Sequence, residues 1–219
     1  MFVGHLAVAL AARKYEPEVN LAWFVAGATA LDLVWPIFVL AGLEHVSIVP
    51  GATAVTPLVF DSYPWSHSLV MTSIWALLLV ALAKFSNVPR SAWVLLAATV
   101  VSHWPLDFIT HAPDMPLWPG DSPKLGLALW NSIPTTFMVE GAMWVIGIAL
   151  YLQARSRQGR RPGVGFWSLI IVSTVMWASG PWGPLPPDER SVAMFSMVGW
   201  IVVPWAMWAD RKGRGRPTT

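Results

Sequence analysis

The sequence of 219 residues contains no cysteine, and charged residues make up only 12% of it. Without cysteine the chain has no disulfide bonds, thiolate metal ligands or cysteine nucleophile, so any metal must be held by His, Asp or Glu. The scarcity of charge excludes an ordinary soluble domain, in which about a quarter of the residues are charged. Because 55% of the residues are hydrophobic, the chain requires lipid as part of its solvent.

The start of the chain also lacks the pattern of a cleavable secretory signal. Such a signal begins with basic residues, whereas here the basic pair Arg13 and Lys14 follows the apolar run 2–13. We therefore expect this run to be retained. It has about twelve residues, and a helix needs roughly 20 residues to cross a bilayer. The run thus predicts a half-helix or re-entrant segment packed inside a helical bundle.

Longer apolar stretches make up most of the remaining sequence, and prolines mark most of their boundaries. They predict an all-α fold, a polytopic transmembrane helical bundle of about six spans that forms a single domain over 1–210. The predicted spans are 20–43, 66–86, 90–111, 132–153, 164–181 and 189–209.

The basic residues fall almost entirely on one side of this topology. The opposite loops, 44–65, 112–131 and 182–188, carry acidic residues and a single lysine, Lys124. The positive-inside rule then places the basic loops and the basic tail 211–219 in the cytoplasm. The tail is interpreted as an anchor beside anionic membrane lipids rather than as a nucleic-acid-binding segment. The basic side comprises Arg13, Lys14, Lys84, Arg90, Arg155, Arg157, Arg160, Arg161, Arg211, Lys212, Arg214 and Arg216.

Several ionisable residues lie within the apolar segments, where charge is costly and usually functional. At about 1.5 Å per helical residue, most of them fall at a similar depth in the half of the bilayer away from the basic loops. This common depth predicts one site. The candidate metal ligands are His5, Asp32, His67, His103, Asp107, His111 and Glu140. Asp32 and Glu140 are also candidate general bases.

The densest pattern is HWPLDFITH, in which His103, Asp107 and His111 are spaced i, i+4, i+8. A continuous helix would present all three side chains on one face. Two imidazoles and a carboxylate suit Zn²⁺, and also Mn²⁺ or Fe²⁺. Pro105 lies between them and predicts a kink or a freed carbonyl group.

Each candidate also has a purely structural interpretation. Asp32 could hydrogen-bond between helices, His67 could lie at the membrane interface beside a capping serine, and Glu140 could pair with a histidine without binding metal. By contrast, His45, beside Glu44 in a loop, is interpreted as a solvated residue.

The order of these motifs resembles the YdjM-like family of bacterial inner-membrane proteins, which are proposed to be metal-dependent hydrolases. The resemblance is carried by GHLAVALAA, ALDLVWP, PWSHSL, SHWPLDFITH and GLALWNS, and covers roughly residues 1–135. Two positions depart from the family pattern. A single aspartate, Asp32, stands where the family often has two, and Trp65-Ser66 replaces an Arg and a Thr before the histidine. The order of ligands is also similar, more distantly, to that of zinc-dependent phospholipase C.

The resemblance implies a hydrolase of the bacterial inner membrane that uses a divalent metal, zinc first among the candidates. Because the predicted site lies between helices in the outer half of the membrane, the expected partners are membrane lipids and the expected substrate is a phospholipid or a lipid-linked phosphate. The alternatives are an ion- or proton-coupled transporter and a non-catalytic scaffold. A transporter would need polar residues along the whole path. The inner halves of the spans, such as WALLLVALAKF and WVIGIALYL, are apolar and favour a pocket open to one side.

Overall fold

The computed structural model describes residues 1–211, so only Arg211 of the predicted tail 211–219 is included and the rest of that tail lies outside the described residues. The described part is predominantly helical, as the apolar stretches predict. Its helices are α1 Val3–Ala12, α2 Leu21–Ala28, α3 Ala30–Leu40, α4 Pro64–His67, α5 Leu69–Phe85, α6 Trp93–Val101, α7 His103–Thr110, α8 Ile133–Arg157, α9 Val164–Ser179, α10 Glu189–Ser196 and α11 Gly199–Ala209.

Four continuous helical segments of the described chain are long and apolar enough to cross a membrane. They are Arg90–Thr110, Ile133–Arg157, Val164–Trp182 and Glu189–Ala209. The helices α2 and α3 form a fifth candidate, bent by 53° at Thr29. The predicted span 66–86 corresponds to α5, which has 17 residues and is shorter than the other candidates.

The sequence predicts a buried half-helix at the start of the chain, and α1 fits this description. Eight of its ten residues are buried, mostly against α8, α2 and α6. The contact with α8 is close because Gly147 has no side chain: a Cβ there would lie 2.6 Å from the carbonyl oxygen of Ala7. Small residues allow helix backbones to approach in this way within membranes.

Polar side chains cap the N-termini of several helices. Asn20 accepts a hydrogen bond from the amide of Ala22 at the start of α2, and Ser68 accepts one from Met71 at the start of α5. Such caps satisfy amide groups that have no partner inside the helix. They therefore fix where α2 and α5 begin, and α5 begins two residues after His67 of the candidate site.

The loops opposite the basic residues contain short antiparallel hairpins that the hydropathy pattern does not predict. One pairs β1 His45–Ile48 with β2 Leu58–Ser62, and the other pairs β3 Met115–Pro116 with β4 Lys124–Leu125. Together with Tyr63 and Trp104 they build a small apolar cluster. The hairpins thus cover the end of the bundle beneath which the candidate site lies.

A buried polar network closes the opposite end. The carboxylate of Asp210 accepts hydrogen bonds from Arg13 at 2.8 Å, from Tyr151 at 2.9 Å and from Arg155 at 3.3 Å. It also accepts a bond of 3.0 Å from the backbone amide of Leu21. The network joins α1, α8 and α11, and it brings part of the predicted basic side together at one end of the fold.

Candidate metal centre

Five of the seven candidate ligands come together in one cluster between α1, α3, α4 and α7, and all of them except Asp32 are buried. They form two overlapping groups, in each of which the ligand atoms lie within 4.8 Å of one another. The first group contains His5, His103 and Asp107, and the second contains Asp32, His67 and His103. His103 belongs to both groups, so the two candidate positions are adjacent.

Asp107 lies at the centre of this cluster. Its Oδ1 is 3.0 Å from Nε2 of His5 and contacts the amino group of Met1. Its Oδ2 is 2.9 Å from Nε2 of His103 and 3.9 Å from Nε2 of His67. The two oxygens of one carboxylate therefore face different sides of the cluster. A carboxylate in this arrangement is able to bridge two cations.

His103 begins α7 and is oriented by the bend between α2 and α3. The carbonyl of Ala28, the last residue before the bend, lies 2.8 Å from Nδ1 of His103. A carbonyl only accepts hydrogen bonds, so Nδ1 carries the proton and the neutral ring keeps its lone pair on Nε2. Nε2 points toward the two carboxylates, 2.9 Å from Asp107 and 3.7 Å from Asp32. It is buried and makes no hydrogen bond with any described residue.

His67 is oriented by a polar chain that begins at a loop glutamate. Glu44 is fully buried, and its carboxylate accepts bonds of 2.8 Å from the backbone amides of Trp65 and Ser66. Burial raises the pKa of this carboxyl group, an effect that its three hydrogen bonds partly oppose. Its other oxygen lies 2.6 Å from the Ser66 hydroxyl, which in turn lies 2.7 Å from Nδ1 of His67.

The same reasoning gives the protonation of His67. An ionised Glu44 only accepts, so the Ser66 hydroxyl donates to it and accepts from Nδ1–H of His67. The lone pair of His67 Nε2 then points into the cluster, 3.7 Å from Oδ1 of Asp32. Two imidazole lone pairs therefore converge on two carboxylates. Such an arrangement requires a cation, either a proton or a metal, between the groups.

The remaining cluster members differ in exposure. The ring of His5 stacks on that of His103, with centroids 3.7 Å apart, and His5 is buried. The side chain of Asp32, in the first turn of α3, is 50% exposed. Asp32 is therefore the cluster member that water or a substrate can reach directly.

His111 and Glu140 belong to neither group. Helix α7 ends at Thr110, and His111 has an extended backbone, so it does not continue the face of His103 and Asp107 that the spacing predicts. Its Nδ1 lies 3.1 Å from Asp114 and 3.3 Å from the hydroxyl of Tyr63. A histidine after the last helical residue is free to turn away, which explains the difference.

Glu140 lies beside the cluster, on α8. Its carboxylate is buried and accepts a hydrogen bond of 3.0 Å from the backbone amide of Phe2. Phe2 adjoins Met1, whose amino group contacts Asp107. Glu140 thus holds the start of α1 against the cluster instead of pairing with a histidine.

The sequence pattern did not identify Glu44 or the role of Ser66. Glu44 lies just after an apolar segment, and the sequence indicated only that it belongs to an acidic loop, 44–65. The serine directly before the histidine in PWSHSL was a usable signal, but its acceptor lies 22 residues away and is brought close only by the fold. His45, interpreted as solvated, has a side chain that is 56% exposed and lies 3.3 Å from Glu189.

Comparison with known proteins identifies one relationship. A family model described as YdjM inner membrane protein matches residues 1–182, which include every member of the cluster. No curated protein and no solved structure matches the chain.

Proposed function

The chain belongs to the YdjM inner membrane protein family, and from that premise we propose that it is a membrane-bound, metal-dependent hydrolase of phosphoesters. The substrate class is a phospholipid or a lipid-linked phosphate. One observation carries the proposal. The Nδ1 atoms of His67 and His103 are both occupied by outer partners, so both Nε2 lone pairs point at carboxylates. A divalent cation satisfies all of these groups at once.

The donor set fits such a cation. Three imidazoles and two carboxylates, with no sulfur, suit zinc and also manganese or iron. His5, His103 and Asp107 would hold one ion, and Asp32 and His67 would line a second position, because the single free lone pair of His103 can bind only one ion. When bound, a pair of divalent ions supplies hydroxide at neutral pH and stabilises charge on the attacked phosphate.

Within the chain, the two candidate bases have different environments. Asp32 is half exposed, so it can accept a proton from an incoming water molecule. Glu140 is buried and is bonded to a backbone amide, which suits a positioning role. We therefore assign proton transfer to Asp32, and the retention of α1 at the site to Glu140.

A lipid substrate follows from the surroundings of the cluster. In the most apolar stretch of each of the four long helices, only 22–33% of the residues are buried. These helices therefore present a largely apolar surface to lipid. The cluster lies at the end of α1 opposite Arg13, a separation of about 12 Å along the helix. With the basic end in the cytoplasm, as the positive-inside rule requires, the site lies in the outer half of the membrane and is reached from that leaflet.

The decisive experiment combines metal analysis with an activity screen. The protein is purified without chelators and analysed for transition metals, then assayed on phospholipids and on water-soluble phosphoesters. We expect stoichiometric metal and hydrolysis of a lipid phosphoester. Both should be lost in His103→Ala and retained in His45→Ala, a matched histidine variant in an exposed loop.

Two results would overturn the proposal. If the gently purified protein contains no transition metal, protons rather than a metal link the histidines and carboxylates, and the cluster has a structural role. Stoichiometric metal without hydrolysis of any phosphoester, but with ion flux in proteoliposomes, would favour the transporter alternative.

A further inference from the structure

A cleft of about 190 Å³ opens at the basic end of the fold, between the start of α9 and the end of α11. Two arginines, Arg161 and Arg211, line it together with the indole of Trp208 and the backbone of Gly163 and Gly165. The candidate metal centre lies at the other end of the molecule. The cleft is thus a separate feature that the proposed hydrolase function does not use.

The shape of the cleft depends on a glycine. A Cβ on Gly165 would lie 2.8 Å from Cδ2 of the Trp208 indole, closer than such contacts allow. Only glycine at this position lets the indole lie against the backbone of α9. The indole is 46% exposed, so one part of it packs against the protein and the other part borders the cleft.

Positive charge beneath the cleft exceeds negative charge. Arg13 and Arg155 are both buried and share the single carboxylate of Asp210, which leaves an excess of one positive charge. Nη2 of Arg155 donates a bond of 3.3 Å to the backbone carbonyl of Arg211, so the buried network directly contacts the cleft wall. The Nε of Arg155 is buried and has no hydrogen-bond partner among the described residues.

Few acidic residues are available to balance this charge. Glu16 and Glu18 lie in the loop after α1, and Glu16 accepts a bond from Ser91 at the start of the helical segment Arg90–Thr110. In residues 1–211, neither Arg161 nor Arg211 forms an ion pair. The sequence of 212–219 contains no Asp or Glu and adds one lysine and two arginines.

We propose that this cleft binds the phosphate group of an anionic phospholipid. Two guanidinium groups match the charge and the hydrogen-bonding geometry of a phosphate diester. A half-exposed tryptophan favours the level of lipid headgroups, and basic pockets between transmembrane helices bind anionic headgroups. The neighbouring apolar Val164, which is 77% exposed, suits the glycerol and upper acyl carbons better than it suits free phosphate.

The test uses the full chain in uncharged detergent. Thermal unfolding is followed while short-chain phosphatidylglycerol, short-chain phosphatidylcholine or inorganic phosphate is titrated, because a ligand of the folded state raises Tm in a saturable way. The cleft variant is Arg161→Gln with Arg211→Gln. The control, Arg90→Gln with Arg157→Gln, removes the same charge from exposed positions outside the cleft.

We expect phosphatidylglycerol to stabilise the wild type and the control equally, and to bind the cleft variant about tenfold or more weakly. If both double variants bind phosphatidylglycerol equally weakly, binding depends only on the total charge of the protein, and the proposal is overturned. If inorganic phosphate stabilises the protein as strongly as the lipid does, the cleft does not select a phospholipid, and the proposal is overturned.

A second variant guards against a loss of folding in the first. Gly165→Ala keeps every charge but displaces the indole from α9. We expect it to weaken phosphatidylglycerol binding without altering the response to phosphatidylcholine. Unchanged binding of phosphatidylglycerol in this variant would contradict a role for the cleft.

Discussion

The hydroxyl oxygen of Ser66 lies 2.7 Å from Nδ1 of His67, the next residue in the chain. The hydroxyl is itself fixed by Glu44, so the orientation of one imidazole in the candidate centre depends on a loop carboxylate. Outer partners of this kind typically change metal affinity by about 10–100-fold when removed.

We expect Ser66→Ala to weaken zinc binding by about 10–100-fold, because His67 then loses the acceptor that fixes its tautomer. Competition with a chromophoric chelator measures the affinity directly. Ser66→Thr keeps the hydroxyl and should restore binding. If the alanine and threonine variants bind zinc equally, the hydroxyl does not orient the histidine.

Substitution of the two candidate bases should lower catalytic activity to different extents. Asp32→Asn is expected to lower kcat/KM by about 10²–10⁴-fold, because the half-exposed carboxylate is lost from the site. Glu140→Gln keeps an oxygen that can accept from the Phe2 amide and should lower kcat/KM less than tenfold. Rates on the lipid phosphoester, normalised to metal content, make the comparison. A greater loss in the glutamine variant, with unchanged Tm, would reverse the two assignments.

The close contact between α1 and α8 gives a third prediction. Gly147→Ala places a methyl group 2.6 Å from the backbone of Ala7, so the helices must separate at a cost of about 1–3 kcal/mol. The separation also moves His5, which should weaken metal binding. The control is Gly141→Ala on the same helix, where the new methyl group meets only the tip of Trp177 at 3.3 Å. Unfolding in detergent should distinguish the two variants, and equal Tm values would contradict the close packing.

The network around Asp210 gives a fourth prediction. Asp210→Ala leaves two buried arginines without a carboxylate and should lower the free energy of unfolding by about 3–5 kcal/mol. Tyr151→Phe removes a single hydrogen bond to the same carboxylate, so we expect a smaller loss, about 1.5–3 kcal/mol. Denaturant titrations of the two variants measure the difference. A larger effect of the tyrosine change would mean that the arginines find other partners.

Hydropathy alone predicted the helical bundle well, because the spans are long apolar runs bounded by proline and polar caps. The short buried α1 was also predicted, since twelve residues cannot cross a bilayer but can pack inside a bundle. What hydropathy could not predict is the break at Thr29. The bend falls at a threonine within an apolar run, two residues after Gly27, and it exposes the carbonyl that orients His103.

The candidate site was predicted in part for a similar reason. Depth within the membrane grouped Asp32, His67, His103 and Asp107, because helical rise is nearly constant, but it also included Glu140, which lies beside the cluster, and placed His5 at a shallower level. The spacing i, i+4, i+8 also added His111, whose helix ends one residue earlier. The partners that orient the histidines, a loop glutamate and a backbone carbonyl, follow from tertiary contacts that no spacing in the sequence encodes.

The position of Asp210 along the chain has a consequence for biosynthesis. The arginines that it neutralises lie 197 and 55 residues earlier, so both are made and inserted before their shared carboxylate leaves the ribosome. Until then the bundle retains two guanidinium groups that have no counterion from the chain. Packing at the basic end is therefore completed only when α11 and Asp210 have been made. A nascent chain that stalls before α11 would keep both arginines without their carboxylate.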